Sequence, residues 1–113
     1  MSKTPEGKFT EQVTNYLKSL GGACWFYKVY GGGYFQRNGI PDIIGVFKGK
    51  FFALELKAEN GKASPLQIYN IDKINRAGGI GYILKPSQFE EFKKEFEKQI
   101  WMYMQNYRRS NRS

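Results

Sequence analysis

The chain has 113 residues, enough for one domain with one core, and its 18 Lys and Arg against 10 Asp and Glu give a net charge of +8. That balance favours a polyanionic partner, because phosphate neutralisation and counterion release drive binding to basic surfaces. Histidine is absent, which excludes Ser-His-Asp and Cys-His nucleophilic sites, histidine-ligated zinc and any histidine general base, and leaves chemistry to carboxylates, lysines, hydroxyls and water.

Residues 1–20 hold no apolar run of signal-peptide type, and no stretch reaches the roughly 18 apolar residues of a spanning helix, so no membrane association is expected. Residues 4–20 predict the first helix instead. Thr4 caps it, Pro5 suits its first position, and Phe9, Val13, Tyr16, Leu17 and Leu20 form an apolar stripe that stops at Gly21-Gly22. Ala23–Tyr30 is rich in aromatic and β-branched residues and reads as a strand. Within it lies the single cysteine, Cys24, read as buried; standing alone, it excludes a disulfide framework and points to a cytoplasmic setting. Gly31-Gly32-Gly33 follows as a loop. Without a following Lys-Ser/Thr or a helix, it is no phosphate-binding P-loop.

A hairpin is predicted over Pro41–Phe47 and Lys50–Ala58, turning at Lys48-Gly49 and burying Ile43, Phe47, Phe52, Leu54 and Leu56 on one face. After a polar connection over 59–63, Ser64-Pro65-Leu66-Gln67 opens a second helix with a capping box, and Gly78-Gly79 closes it. Ile80–Leu84 is a short strand; the partial GIY-YIG pattern at its start carries little weight alone. Ser87 and Glu90 predict another capping box. Phe89, Phe92, Phe96, Ile100, Tyr103 and Tyr107 then continue at helical spacing, with a disordered tail over 108–113. The order is αβββαβα, an α/β sandwich with a mixed central sheet flanked by helices. It reads as a single domain over 1–113, with its core at about 4–98 and a C-terminal helix and basic tail over 99–113.

Folding the hairpin about Lys48-Gly49 pairs Phe47 with Lys50, Val46 with Phe51 and, continuing outward, Asp42 with Glu55. Cross-strand partners lie roughly 4.5 to 5.5 Å apart at Cβ, where two like charges destabilise a sheet. A divalent cation between them removes that penalty. Lys57 shares the face of Glu55, because strand side chains alternate with period two. These charges interrupt the apolar run Phe51-Phe52-Ala53-Leu54-Glu55-Leu56-Lys57. The set suits phosphodiester hydrolysis. Carboxylate oxygens bind a hydrated Mg²⁺, the metal polarises a phosphoryl oxygen and lowers the pKa of bound water, and a lysine orients that water or offsets developing charge. The Leu56 carbonyl is a further candidate ligand. The structural alternative is an ordinary strand ion pair between Glu55 and Lys57, and a three-residue turn would break the Asp42–Glu55 pairing.

Gly39-Ile40-Pro41-Asp42-Ile43-Ile44-Gly45, Glu55-Leu56-Lys57 and Ser64-Pro65-Leu66-Gln67 together resemble the PD-(D/E)xK nuclease superfamily. More narrowly, they resemble the stand-alone VRR-NUC domains of phages and bacteria, from about Glu6 to Gly79. The resemblance implies a restriction-endonuclease-like fold related to Holliday-junction resolvases. It also implies a DNA endonuclease that uses Mg²⁺ or Mn²⁺ and no small-molecule cofactor. Asp42 and Glu55 would be metal ligands, Lys57 the catalytic lysine, and the assembly a homodimer acting on branched DNA. The family adds a first-helix glutamate, for which Glu6 and Glu11 are available. At about 100° per residue, Glu6 falls about 60° from Phe9 on the sheet side and Glu11 about 200° away, so Glu6 is preferred; its other role is to complement the helix dipole.

Gln67 has two readings as well, orienting water or Lys57 in the site or closing the capping box. Gln36 and Arg37 are phosphate contacts or a plain polar loop. Trp101, Met102 and Met104 extend an apolar surface past the core, suggesting a homodimer contact, with Arg108, Arg109 and Arg112 as a basic arm for DNA. The expected function is structure-selective cleavage at four-way junctions. The alternatives are a flap, nicking or restriction-like nuclease, and a non-catalytic DNA-binding module on the same fold.

Overall fold

A computed structural model describes residues 4–30 and 39–110. Gly31-Gly32-Gly33, Gln36, Arg37 and Arg112 therefore lie outside the described residues. The elements are α1 (Pro5–Ser19), β1 (Cys24–Lys28), β2 (Ile43–Phe47), β3 (Lys50–Leu56), α2 (Pro65–Arg76), β4 (Ile80–Leu84) and α3 (Phe89–Ser110), with short 3-10 turns at Gly21–Ala23 and Pro86–Gln88. This is the αβββαβα order read from the sequence. The strands form one mixed sheet in the order β1-β2-β3-β4, antiparallel except for the parallel pair β3 and β4, which α2 connects.

Local chemistry sets the boundaries. Thr4 Oγ1 accepts the Gly7 N–H at 3.0 Å and caps α1. Lys48 and Gly49, at φ 49° and 86°, make a two-residue turn whose positive φ angles match the twist of the flanking strands. That turn fixes the register from Phe47↔Lys50 out to Ile43↔Leu54. Ser64 and Gln67 form the expected capping box at the start of α2.

All of Ile43, Phe47, Phe52, Leu54 and Leu56 are buried, on the sheet face covered by Phe9, Val13 and Leu17 of α1 and Phe92, Phe96 and Ile100 of α3. Phe96 is the hub, with ring centroids 5.1 Å from Phe52 and from Phe92 and 5.3 Å from Phe47. The other face is covered by α2 over β3 and β4 only. Trp25, Tyr27 and Val46 on β1 and β2 are exposed, as is Phe51 at the hairpin end of β3.

Three expectations are corrected. Ser87 and Glu90 do not form the capping box: the Ser87 N–H goes to Glu59 Oε2 at 3.0 Å, Glu90 pairs with Lys93, and Gln88 Oε1 accepts the Lys85 N–H instead. A 3-10 turn beginning at Pro86 shifts the start of the helical path upstream. The disordered tail is corrected in part, since α3 continues through Arg108 and Arg109 to Ser110, elongation adding one hydrogen bond per residue once a helix is nucleated. Cys24 opens β1 but is half-buried rather than buried, because β1 is an edge strand.

Candidate active site

The end of the sheet away from the hairpin turn gathers Lys28 at the close of β1, Asp42 just before β2, Glu55 and Lys57 at the close of β3, and the first turns of α1 and α2. Asp42 is held twice. Its backbone carbonyl accepts the Val29 N–H at 2.7 Å, and its Oδ2 accepts the Leu56 N–H at 2.7 Å. The register carried one step past Ile43↔Leu54 sets it opposite Glu55.

Glu55 is only 3% exposed, although it is a carboxylic acid. Oε2 accepts the Gln67 Nε2–H at 3.2 Å and lies 3.6 Å from Lys57 Nζ, whereas the buried Oε1 has no hydrogen-bond partner. Burial is the first cause that raises its pKa, to about 7. The Asp42 charge raises it further, and Lys57 pulls the other way. Such a perturbed, buried carboxyl costs stability in the absence of a cation and is the kind of group that marks a candidate site.

Gln67 closes the capping box and also reaches the site, where its partner is Glu55 rather than Lys57. Its Oε1 accepts the Ser64 N–H at 2.8 Å while its Nε2 reaches Glu55, so one amide joins the start of α2 to the buried carboxylate. Gly39, at φ 84°, lies so close to α2 that a Cβ there would stand 2.6 Å from Leu66 Cγ, and Asn70 Nδ2 donates to its carbonyl at 2.8 Å.

Glu6 lies in a cleft of about 440 Å³ with Thr4, Gly7, Thr10, Lys28 and Asp42; Glu11 is not among its lining residues. Among the described residues, no three carboxylates or thiols close into one metal-binding group, so Glu6 shares a cleft with Asp42 without joining the Asp42–Glu55 pair. At Leu56 it is the N–H, rather than the carbonyl, that engages Asp42.

The site also reaches residues the sequence reading passed over. Lys28 lines the cleft and Asn70 holds Gly39. Asn70 follows Gln67 by three positions, the spacing that puts two side chains on one helix face, and this was the available signal. Arg108 and Arg109 sit elsewhere. Arg108 shares a surface hollow with Phe47, Lys48 and Trp101 at the hairpin end, separated from Asp42 by the length of β2, about 16 Å at 3.3 Å per residue.

The sequence matches no family model and no curated protein. Among solved structures, a VRR_NUC domain superimposes with a TM-score of 0.67 at 22% identity, covering 81% of this chain and 97% of its own. On that likeness the chain has the fold of a VRR_NUC domain.

Proposed function

We propose that the protein is a metal-dependent DNA endonuclease that hydrolyses phosphodiester bonds with Asp42, Glu55 and Lys57 and acts on branched DNA, four-way junctions first. The observation that carries this reading is the buried Glu55, whose Oε1 is unpaired beside Asp42 and whose Oε2 faces Lys57. An orphaned carboxylate oxygen next to a second carboxylate, with no histidine or thiolate at hand, fits a hard cation such as Mg²⁺ or Mn²⁺.

Asp42 and Glu55 would hold the ion, and Glu6 lines the cleft beside Asp42 without completing the set. Bound there, the cation supplies neutralisation of phosphoryl charge and a lowered pKa for its water. The remaining work falls to side chains. Gln67 fixes the rotamer of Glu55, and Lys57 presents an ammonium on the same face, where it orients the attacking water or offsets charge on the phosphorane oxygens. Lys28 lines the approach and offers a cation to a phosphate. The fold of a VRR_NUC domain supports the nuclease reading, and the +8 charge supports DNA as partner. The proposed assembly is a homodimer, which would set two such sites against two strands.

One gel tests this: four-way junction, flap, duplex and single-stranded DNA incubated with Mg²⁺, Mn²⁺ or EDTA. Cleavage of the junction is expected with either metal, and its loss in EDTA and in Asp42→Asn, Glu55→Gln and Lys57→Ala. Binding without cleavage, unaffected by the amide substitutions, would establish the non-catalytic module instead. Preferential cutting of flap or duplex would replace the junction as substrate.

A further inference from the structure

We propose that Asn70 is a positioning residue that sets Asp42 against Glu55, so that a single face of α2 locates both carboxylates. This rests on the reading of Asp42 and Glu55 as metal ligands. Two side chains on that face reach opposite walls of the site. Gln67 Nε2 donates to Glu55 at 3.2 Å, and three residues later Asn70 Nδ2 donates to the Gly39 carbonyl at 2.8 Å. Between Gly39 and Asp42 lie only Ile40 and Pro41. The proline ring fixes one of the intervening torsions, and Pro41 is buried. The link from Gly39 to Asp42 is therefore short and partly fixed, and Asp42 is itself anchored through the Val29 N–H and the Leu56 N–H.

The fit at Gly39 is close enough for this to matter. With φ at 84° and α2 where its own Cβ would be, Gly39 brings its backbone against the helix, and Leu66 and Asn70 press on it from adjacent turns. At the other end of the tether, Asp42 Oδ2 is spent on the Leu56 N–H, the residue between Glu55 and Lys57. The path Asn70–Gly39–Asp42–Leu56 thus closes on the strand that carries Glu55, while Gln67 closes on Glu55 directly. Removing Asn70 opens one side of that ring and leaves the other intact.

Asn75 provides an internal control. It lies on the same helix and pairs its amide with the backbone of Gly81 through bonds of 2.8 and 3.1 Å, away from the carboxylates. A merely structural asparagine should behave as Asn75 does. The test compares Asn70→Leu with Asn75→Leu, using Asn70→Ser, which shortens only the donor arm, should the leucine variant fold poorly.

Three quantities are measured: the amide proton shift of Leu56 in metal-free protein, the Mn²⁺ dissociation constant by calorimetry, and kcat and KM on the four-way junction. For Asn70→Leu, the Leu56 resonance is expected to move upfield as its bond to Asp42 lengthens. Mn²⁺ affinity and kcat should each fall about tenfold, the size typical of residues that orient metal ligands, with KM unchanged. For Asn75→Leu, all three should stay at wild-type values. If Asn70→Leu leaves the Leu56 resonance and Mn²⁺ affinity unchanged, the positioning role is overturned, whatever the cleavage assay gives. If the wild type binds Mn²⁺ without cutting DNA while Asn70→Leu still shifts both readouts, the nuclease reading fails and the positioning role stands.

Discussion

Burial of Glu55 carries a cost in stability that its proposed role would explain. Its carboxyl ionises near 4.5 in a solvated chain and near 7 in the fold, burial being the main cause. Between those values the folded state holds the extra proton, so protonation stabilises the metal-free protein most below pH 4.5, and that contribution is lost as pH rises through 7. Glu55→Gln in EDTA at pH 8 is therefore expected to melt several degrees above wild type, with the gap closing towards pH 4.5; calorimetry across that range checks both. Mn²⁺ at pH 8 should raise the melting point of wild type well above that of the variant, because the variant has lost one of the two proposed carboxylate ligands. The same titration makes metal affinity fall as pH drops below 7. A variant more stable and inactive at once would mark Glu55 as functional rather than as one half of a strand ion pair.

The hairpin is the element on which the site depends, and it was also the most legible part of the chain. A lysine and a glycine at its tip leave room for a two-residue turn, period-two alternation does the rest, and Asp42 falls opposite Glu55 without any tertiary information. Gly45 in β2 carries a steric demand as well: a Cβ there would stand 2.3 Å from the Trp25 carbonyl and 2.7 Å from the Phe52 ring. Gly45→Ala is expected to cost about 3 kcal/mol by urea unfolding, as for other overpacked interiors. Ser64→Ala, which removes one half of the capping box that also seats Gln67, should cost about 1 kcal/mol. What could not be read was set by how elements dock. The amide of Gln67 reaches Glu55 only because α2 lies over β3, and Asn70 finds Gly39 only because that helix sits so near the approach to β2. Arg108 and Arg109 look like a loose basic arm in sequence, yet α3 carries them to the hairpin end.

At the scale of the whole molecule, positive charge is not confined to the site. Lys28 and Lys57 stand at one end of the sheet and Lys48 and Arg108 at the other, separated by the length of β2, which on the proposed function corresponds to about five nucleotides at 3.4 Å each. Arg108→Ala with Arg109→Ala is expected to weaken DNA binding and to reduce the magnitude of the slope of log K against log salt by nearly two, while kcat at saturating DNA is unchanged. Filter binding at several salt concentrations checks this. The proposed homodimer has an exposed apolar candidate in Trp101 and Met102, at 64% and 49% exposure, whereas Met104, expected to extend that surface past the core, is partly buried against the core instead. Trp101→Glu should turn a sedimenting dimer into a monomer if that surface is used, and leave it a dimer if the open sheet face around Trp25 and Phe51 is used instead. The turn at Lys48-Gly49 has one more consequence, for descent rather than for chemistry. Because it is the counter that sets one carboxylate opposite the other, an in-frame insertion of a single codon in either arm would put Asp42 and Glu55 out of step, whereas the connection from β1 to β2 bears on neither count. Lineages of this protein should therefore vary in length between β1 and Gly39 and hold constant the number of residues from Asp42 to Glu55.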